Sequence, residues 1–250
     1  MEQAARIRQT DSEQKTTGAK VDPPAVPGGV LPLHSRPSRP PTSVATPPVS
    51  DAVARAVAQT PTRGEPLIRV LDIVGSLIIL VLALPVMAVA GVLIKLTSAG
   101  PVFYRQERVG QGGRLFTPYK FRTMIDNAER QTGPVWASPD DDRVTPVGRI
   151  LRRMRLDELP QLLNILWGDM SLVGPRPERP FFVERHEALQ GVRLAVKPGL
   201  TGLAQVRSYY NLKPAHKVRY DYLYIQKRSL FLNISILLQT IPALFAKKGW

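Results

Sequence analysis

The chain is 250 residues long, with 34 basic and 20 acidic side chains, a net charge of +14, 24 prolines and no cysteine. Without cysteine there are no disulfides, thiolate metal sites or thiol nucleophiles, and three scattered histidines argue against a zinc site. The basic excess points to polyanionic partners: nucleic acid, anionic headgroups or nucleotide phosphates.

Residues 1–66 hold 11 of the 24 prolines and carry only +2 of the net charge. Apart from Val30–Leu33 the segment has no apolar run, so it cannot bury enough surface to offset its ordering entropy. It is predicted to be a disordered Pro-rich tail, and it lacks the layout of a signal peptide. The folded part, residues 67–250, then carries +12.

Within it, the 22 residues Ile73–Ile94 contain no charge. About 20 apolar residues span the hydrocarbon core of a bilayer, so residues 67–96 are predicted to form a membrane helix. Pro85 lies near its middle, where it removes a backbone hydrogen bond and bends a helix. Both flanks are basic, with Arg55, Arg63 and Arg69 before the run and Lys95, Arg105, Arg108, Arg114, Lys120 and Arg122 after it. Basic flanks stay on the cytoplasmic side. A re-entrant hairpin kinked at Pro85 satisfies both flanks better than a straight span, which is the alternative.

Ser98-Ala99-Gly100-Pro101 reads as a turn, Val102-Phe103-Tyr104 as a short strand and Gly110-Gln111-Gly112-Gly113 as a hairpin loop matching no nucleotide-binding template. Leu115–Met124 reads as a second extended piece. Its alternation puts Lys120 and Arg122 on one face, where two cations can converge on one anion. The acids Asp140-Asp141-Asp142 point in different directions and read as a solvated loop rather than a metal site.

Arg149, Arg152, Arg153 and Arg155 then precede the adjacent carboxylates Asp157 and Glu158. Leu156, Leu159, Leu162, Leu163 and Leu166 form one helical stripe, and Pro160 is tolerated only in a first turn. The helix is therefore predicted to start near Asp157–Leu159, with both carboxylates at its positive end. Acids at helix starts are commonly plain caps. Here the arginines would hold them ionised, which suits a nucleophile or a Mg2+ ligand better than a general acid. Gly174-Pro175-Arg176-Pro177 locks the backbone around one arginine, a means of clamping a phosphate. Lys197-Pro198-Gly199-Leu200-Thr201-Gly202 is a Gly/Pro loop with a cation and a hydroxyl, a weaker candidate for phosphate or ribose contact. Leu230–Phe245 is apolar but interrupted by Asn233, Ser235, Gln239 and Pro242, and bracketed by Lys227, Arg228, Lys247 and Lys248. It reads as a C-terminal helix lying in the membrane interface or, equally, as a core helix.

Four motifs in order resemble the bacterial sugar transferases, the monotopic polyprenyl-phosphate phosphoglycosyl transferases. They are Gly100–Gly110, Lys120-Phe121-Arg122-Thr123-Met124, Asp157–Pro177 and Lys197–Gln205, and the resemblance covers roughly residues 67–240. It implies an α/β, mostly α, catalytic domain over residues 97–250. That domain would lie on the cytoplasmic face of the bacterial inner membrane, behind a re-entrant helix. It implies transfer of a sugar-1-phosphate from a UDP-sugar to polyprenyl (undecaprenyl) phosphate, the first membrane step of exopolysaccharide or glycoconjugate synthesis. By the same resemblance Asp157 is the nucleophile that carries the sugar-phosphate covalently, and Glu158 supports it and binds Mg2+. Lys120, Arg122, Arg176 and Lys197 are the substrate-binding candidates. The expected partners are the UDP-sugar, the lipid phosphate and membrane lipids. No recognised nucleic-acid motif or aromatic-interleaved basic groove supports binding to DNA or RNA.

Two departures from the family pattern stand out. Leu84 precedes Pro85 where a serine is common, which removes a hydroxyl that could satisfy a freed carbonyl. Larger relatives carry a multi-span N-terminal region, whereas this sequence reads as the catalytic unit behind an unusual leader. The competing reading is a non-catalytic, membrane-anchored scaffold, against which the presence of both Asp157 and Glu158 speaks.

Overall fold

The computed structural model describes residues 64–129, 133, 141–207 and 214–245. The tail expected over residues 1–66 therefore falls almost wholly outside the described residues, as do Asp140, Lys247 and Lys248.

Helix α1 runs Glu65–Thr97, about 50 Å at 1.5 Å per residue. Gly64, at φ 84°, turns the chain into it, and Ser98 ends it in an extended conformation while its N–H still reaches Ile94 O. Pro85, where the sequence predicts a kink, lies inside one continuous helix. Burial is confined to its two ends: Ile68, Asp72 and Ser76 at a four-residue spacing, then Ala90 and Ile94. Between them Val81, Leu82, Leu84, Val86 and Val89 are exposed. Among the described residues this is the one helix long and apolar enough to cross a membrane.

Strand β1 (Phe103–Arg105) pairs antiparallel with β4 (Tyr119–Phe121), setting Tyr104 opposite Lys120. Strands β2 (Arg108–Val109) and β3 (Leu115–Phe116) form the expected hairpin. The extended piece Leu115–Met124 is not a single strand. Pro118, which cannot donate to a ladder, separates β3 from β4, and the buried Asn164 bonds both sides of the break. Its Oδ1 accepts from Tyr119 N at 2.9 Å and its Nδ2 donates to Thr117 O at 3.0 Å.

Helix α2 (Pro146–Arg153) has Thr145 as N-cap, accepting from Gly148 N at 3.0 Å, with Pro146 at its first position. A 3-10 helix (Leu156–Gln161) leads into α3 (Leu162–Trp167). Strand β5 (Ser171–Val173) then pairs in parallel with β6 (Gly199–Thr201). The expected Gly/Pro loop over Lys197–Gly202 is thus largely a strand. Its glycines serve a close backbone crossing: a Cβ on Gly174 would fall 2.4 Å from Lys197 O, and one on Gly199 would fall 2.0 Å from Gly174 N. Helices α4 (Pro180–Arg185), α5 (Leu203–Arg207), α6 (Pro214–Lys227) and α7 (Leu230–Phe245) complete a mostly helical fold with short strands, the expected class.

The main core gathers Leu162, Ile165, Met170, Leu172, Tyr224 and Ile236. A smaller cluster joins Ala90 and Ile94 of α1 to Phe121 and Leu151. Leu230–Phe245 has a core-facing side, as one of its two readings expects, and an exposed apolar side opposite it. Asn233 and Ile236 are fully buried, while Phe231 (84% exposed), Ile234, Leu238 and Ile241 form an outward apolar stripe.

Candidate active site

Arg155 takes the left-handed conformation (φ 58°) between α2 and the 3-10 helix, a strained position for a residue with a Cβ. That bend redirects the chain so that the next turn carries Asp157 and Glu158 inward, only 2% and 6% exposed. The predicted helix start is where it was expected, in 3-10 rather than α geometry. The deepest positions after it are Leu162 and Ile165, both fully buried, so the core-facing stripe includes an isoleucine outside the leucine pattern.

Two cations from other elements meet the carboxylates. Lys120, on β4, places Nζ 2.8 Å from Asp157 Oδ2 and 3.4 Å from Glu158 Oε1. Arg176 grips Glu158 as a fork, with Nη2 to Oε1 at 2.5 Å and Nη1 to Oε2 at 3.1 Å. Burial alone would push the Glu158 carboxyl up. The charges of Arg176 and Lys120, the Arg176 hydrogen bonds and the field of Arg155 outweigh it and hold that carboxyl well below the usual range.

The arginines upstream play smaller parts than their sequence proximity suggests. Arg149 and Arg153 face outward. Arg152 donates from Nε to Thr123 Oγ1 at 2.7 Å. Burial lowers the Arg152 pKa, opposed by the nearby Asp157 charge.

Two further candidates point elsewhere. Arg122 does not converge with Lys120 on one anion. Its buried guanidinium donates to Ser98 O at 2.9 Å, Ser98 Oγ at 2.8 Å and Ala99 O, satisfying carbonyls just past the end of α1. The charged groups acting on Lys197 are Arg69, Asp72, Glu65 and Arg228, near the start of α1, with neither Asp157 nor Glu158 among them. Burial and then Arg69 push the Lys197 pKa down. Asp141, expected in a solvated loop, is buried and forked by Arg143 at 2.8 and 2.6 Å, so it serves the fold.

Glu158 lines a cleft of about 40 Å³ together with Tyr104, Gln106, Lys120, Gln161 and Arg176, and Asp157 contacts it through Lys120. Its chemistry is that of an anion-binding cleft with a buried, cation-paired carboxylate in its wall. Glu158 offers the hard oxygen donors Mg2+ prefers, and Mg2+ commonly binds one or two carboxylates together with substrate phosphates. Among the described residues no three His, Cys, Asp or Glu side chains cluster. Arg176 and Lys120 already face both Glu158 oxygens, so an ion held there would need further ligands from a bound anion.

A profile of the bacterial sugar transferases matches residues 64–247, the whole of α1 and the catalytic domain. The chain belongs to the bacterial sugar transferase family. Among its relatives is a protein of Aeromonas hydrophila named UDP-N-acetylgalactosamine-undecaprenyl-phosphate N-acetylgalactosaminephosphotransferase. It is 43% identical over 187 residues, covering 72% of this chain and 44% of the relative. The UDP-glucose:undecaprenyl-phosphate glucose-1-phosphate transferase of Caulobacter vibrioides is 44% identical over 186 residues, 70% of this chain and 68% of that one. The exopolysaccharide production protein ExoY of Sinorhizobium fredii is 36% identical over 195 residues, 72% and 86%. The chain thus spans less than half of the first relative and about two thirds of the second.

Several residues that hold this sugar transferase site carried no motif. Asp72 accepts from Ser171 Oγ at 2.9 Å and Leu172 N at 2.8 Å, and Arg69 donates to Ile165 O at 2.6 Å and Leu166 O at 2.7 Å. Their one sequence signal is position: they are the last two charges before the 22-residue apolar run. Arg193 and Asp221, 28 residues apart, pair at 2.8 Å and gave no signal at all.

Proposed function

We propose that this chain transfers a sugar-1-phosphate from a UDP-sugar to undecaprenyl phosphate in two steps through Asp157. In the first, an Asp157 carboxylate oxygen bonds to the β-phosphorus, the bond from that phosphorus to the bridging oxygen breaks, and UMP leaves with the electron pair. In the second, a phosphate oxygen of the lipid attacks the same phosphorus, the acyl phosphate bond breaks, and the Asp157 carboxylate is restored. Lys120 orients Asp157 and offsets charge on the transferred phosphoryl group. Arg176 keeps Glu158 ionised, and Glu158 would hold Mg2+ where bound, which supplies charge neutralisation on the diphosphate. Arg122 is bonded to Ser98 and Ala99, and Lys197 lies toward the start of α1, so neither is given a role in this scheme.

The observation that carries the reading is the buried Asp157 paired with Lys120 beside a Glu158 forked by Arg176. The names of the relatives support the donor and acceptor classes. A membrane position follows from the exposed middle of α1 and the outer stripe of α7, which would lie at the headgroup boundary. Both ends of α1 rest on one catalytic domain: Glu65 pairs with Arg228, and Ile94 packs with Phe121 and Leu151. A helix held so at both ends favours an embedded, non-crossing segment over a straight span, and its basic flanks favour the cytoplasmic face.

The test is a panel of radiolabelled UDP-sugars with undecaprenyl phosphate and Mg2+. Label should enter the lipid for at least one donor and a sugar-phosphate adduct should be trapped on the protein. Asp157→Asn should lose the adduct and roughly 10³-fold or more of the turnover, as expected when a nucleophile is removed. Near wild-type turnover in that variant would refute the nucleophile, and no labelled lipid across the panel would favour a scaffold.

A further inference from the structure

We infer that the buried pair Arg193–Asp221 is a positioning device that aims Arg176 at Glu158, and so acts on the active site from outside it. The role rests on the reading of the Arg176–Glu158 pair as part of that site.

The segment Pro175–Glu178 contains two prolines, so it has few N–H groups with which to fix itself. It is fixed instead through its carbonyls, each held by a donor from another part of the chain. Pro175 O accepts from Gly199 N at 2.9 Å, Pro177 O from Arg108 Nη1 at 3.4 Å, and Glu178 O from Val109 N at 2.9 Å. Arg176 O accepts from Arg193 Nη2. Of these donors, Arg193 is the one that acts on the residue whose side chain grips Glu158.

Arg193 is itself held. Its Nε donates to Asp221 Oδ2 at 2.8 Å, and the two side chains are only 5% and 4% exposed. A guanidinium buried that deeply is costly to hold unless it is paired, and a planar fork with both directions occupied has a fixed orientation. The arrangement therefore runs from α6, which carries Asp221, through Arg193 to the backbone of Arg176 and on to Glu158 Oε1 and Oε2. Arg193 and Arg176 also line one small hollow together with Val109, Leu194 and Val196, so the loop and its donor share a wall. Lysine in place of Arg193 keeps the charge and loses the fork, since one ammonium replaces two donors set at a fixed angle.

The experiment is a double-variant cycle of Arg193→Lys and Glu158→Gln in the full-length protein, read as thermal midpoints in detergent at neutral pH. The hydrogen-bonded route between these two residues is Arg176. If Arg193 positions Arg176, the double variant should lose clearly less than the sum of the two single losses, because the fork on Glu158 is already weakened. Additive losses would overturn the proposal. Asp221→Asn replaces Arg193→Lys in the same cycle should the latter fail to fold. Kinetics give a second arm. A folded Arg193→Lys protein should lose on the order of 10–100-fold in kcat with KM little changed, the scale for a misplaced catalytic group. Wild-type kcat in that folded variant would also overturn it. Should the wild-type protein transfer no sugar from any donor, the proposed function fails, while the thermal cycle still decides the positioning role.

Discussion

The two ends of α1 hold the catalytic domain by opposite chemistry. At the N-terminal end the contacts are polar and directional: Glu65 with Arg228, Arg69 on the last carbonyls of α3, Asp72 on Ser171 and Leu172. At the C-terminal end the body of the helix packs by apolar contact, Ala90 and Ile94 against Phe121 and Leu151 with Leu156 at the margin, while Arg122 caps the residues just beyond it. Each end supports a different half of the site. The apolar end backs β4, which carries Lys120, and the start of the 3-10 helix that carries Asp157. The polar end holds β5, whose last residue, Val173, is three positions before Arg176. A membrane helix that only anchored the domain would need neither. Here one helix braces the Asp157 side by packing, which tolerates repacking, and the Arg176 side by hydrogen bonds, which do not.

The largest effect should come from the apolar end. Ile94 is 2% exposed, so Ile94→Ala should leave a cavity costing about 2–5 kcal/mol, read as a lowered midpoint in detergent. Ile94→Val should recover most of that, because packing rather than direction is at stake. At the polar end, Asp72→Ala would leave the Ser171 hydroxyl and the Leu172 N–H buried without their acceptor, at about 1–3 kcal/mol. Asp72→Asn keeps an acceptor oxygen and should cost less, with any loss of turnover following from slack in β5. Equal tolerance of Ile94→Val and Asp72→Ala would break the contrast between the ends.

This division explains what the sequence could and could not disclose. Asp157, Glu158 and the Pro-locked Arg176 stand out because adjacent acids, a first-turn proline and a Pro-Arg-Pro run have local consequences. Pro160 marked the helical segment for the same reason, although it lies inside the 3-10 helix rather than in the first turn of the α-helix. Lys120 and Arg122 look alike in a strand pattern, yet one meets the carboxylates and the other caps the end of α1. The end of β4 at Phe121 and the tertiary position of Ser98 separate them. Asp72, Arg193 and Asp221 were silent because each takes its role from a partner 28 or more residues away. The strand at Gly199–Thr201 was hidden by residues that usually mark loops. Its glycines answer a backbone crossing that exists only once β5 lies beside it.

The smallest expected effect is the most specific check on the polar end. Glu65 accepts from both terminal nitrogens of Arg228, but its side chain is 41% exposed, whereas that of Arg228 is 8% exposed. An ion pair with one partner in water is screened by salt and contributes about 0–1 kcal/mol. Glu65→Gln should therefore lower the thermal midpoint slightly at low ionic strength, and the difference should shrink as salt is added. Asp72, buried at 2% and bonded to neutral donors, should give a salt-independent loss in the same titration. If Glu65→Gln instead cost as much as Asp72→Ala and ignored salt, the first turn of α1 would belong to the buried bracing of β5. The polar end would then be one cooperative network rather than a rim pair beside a buried anchor.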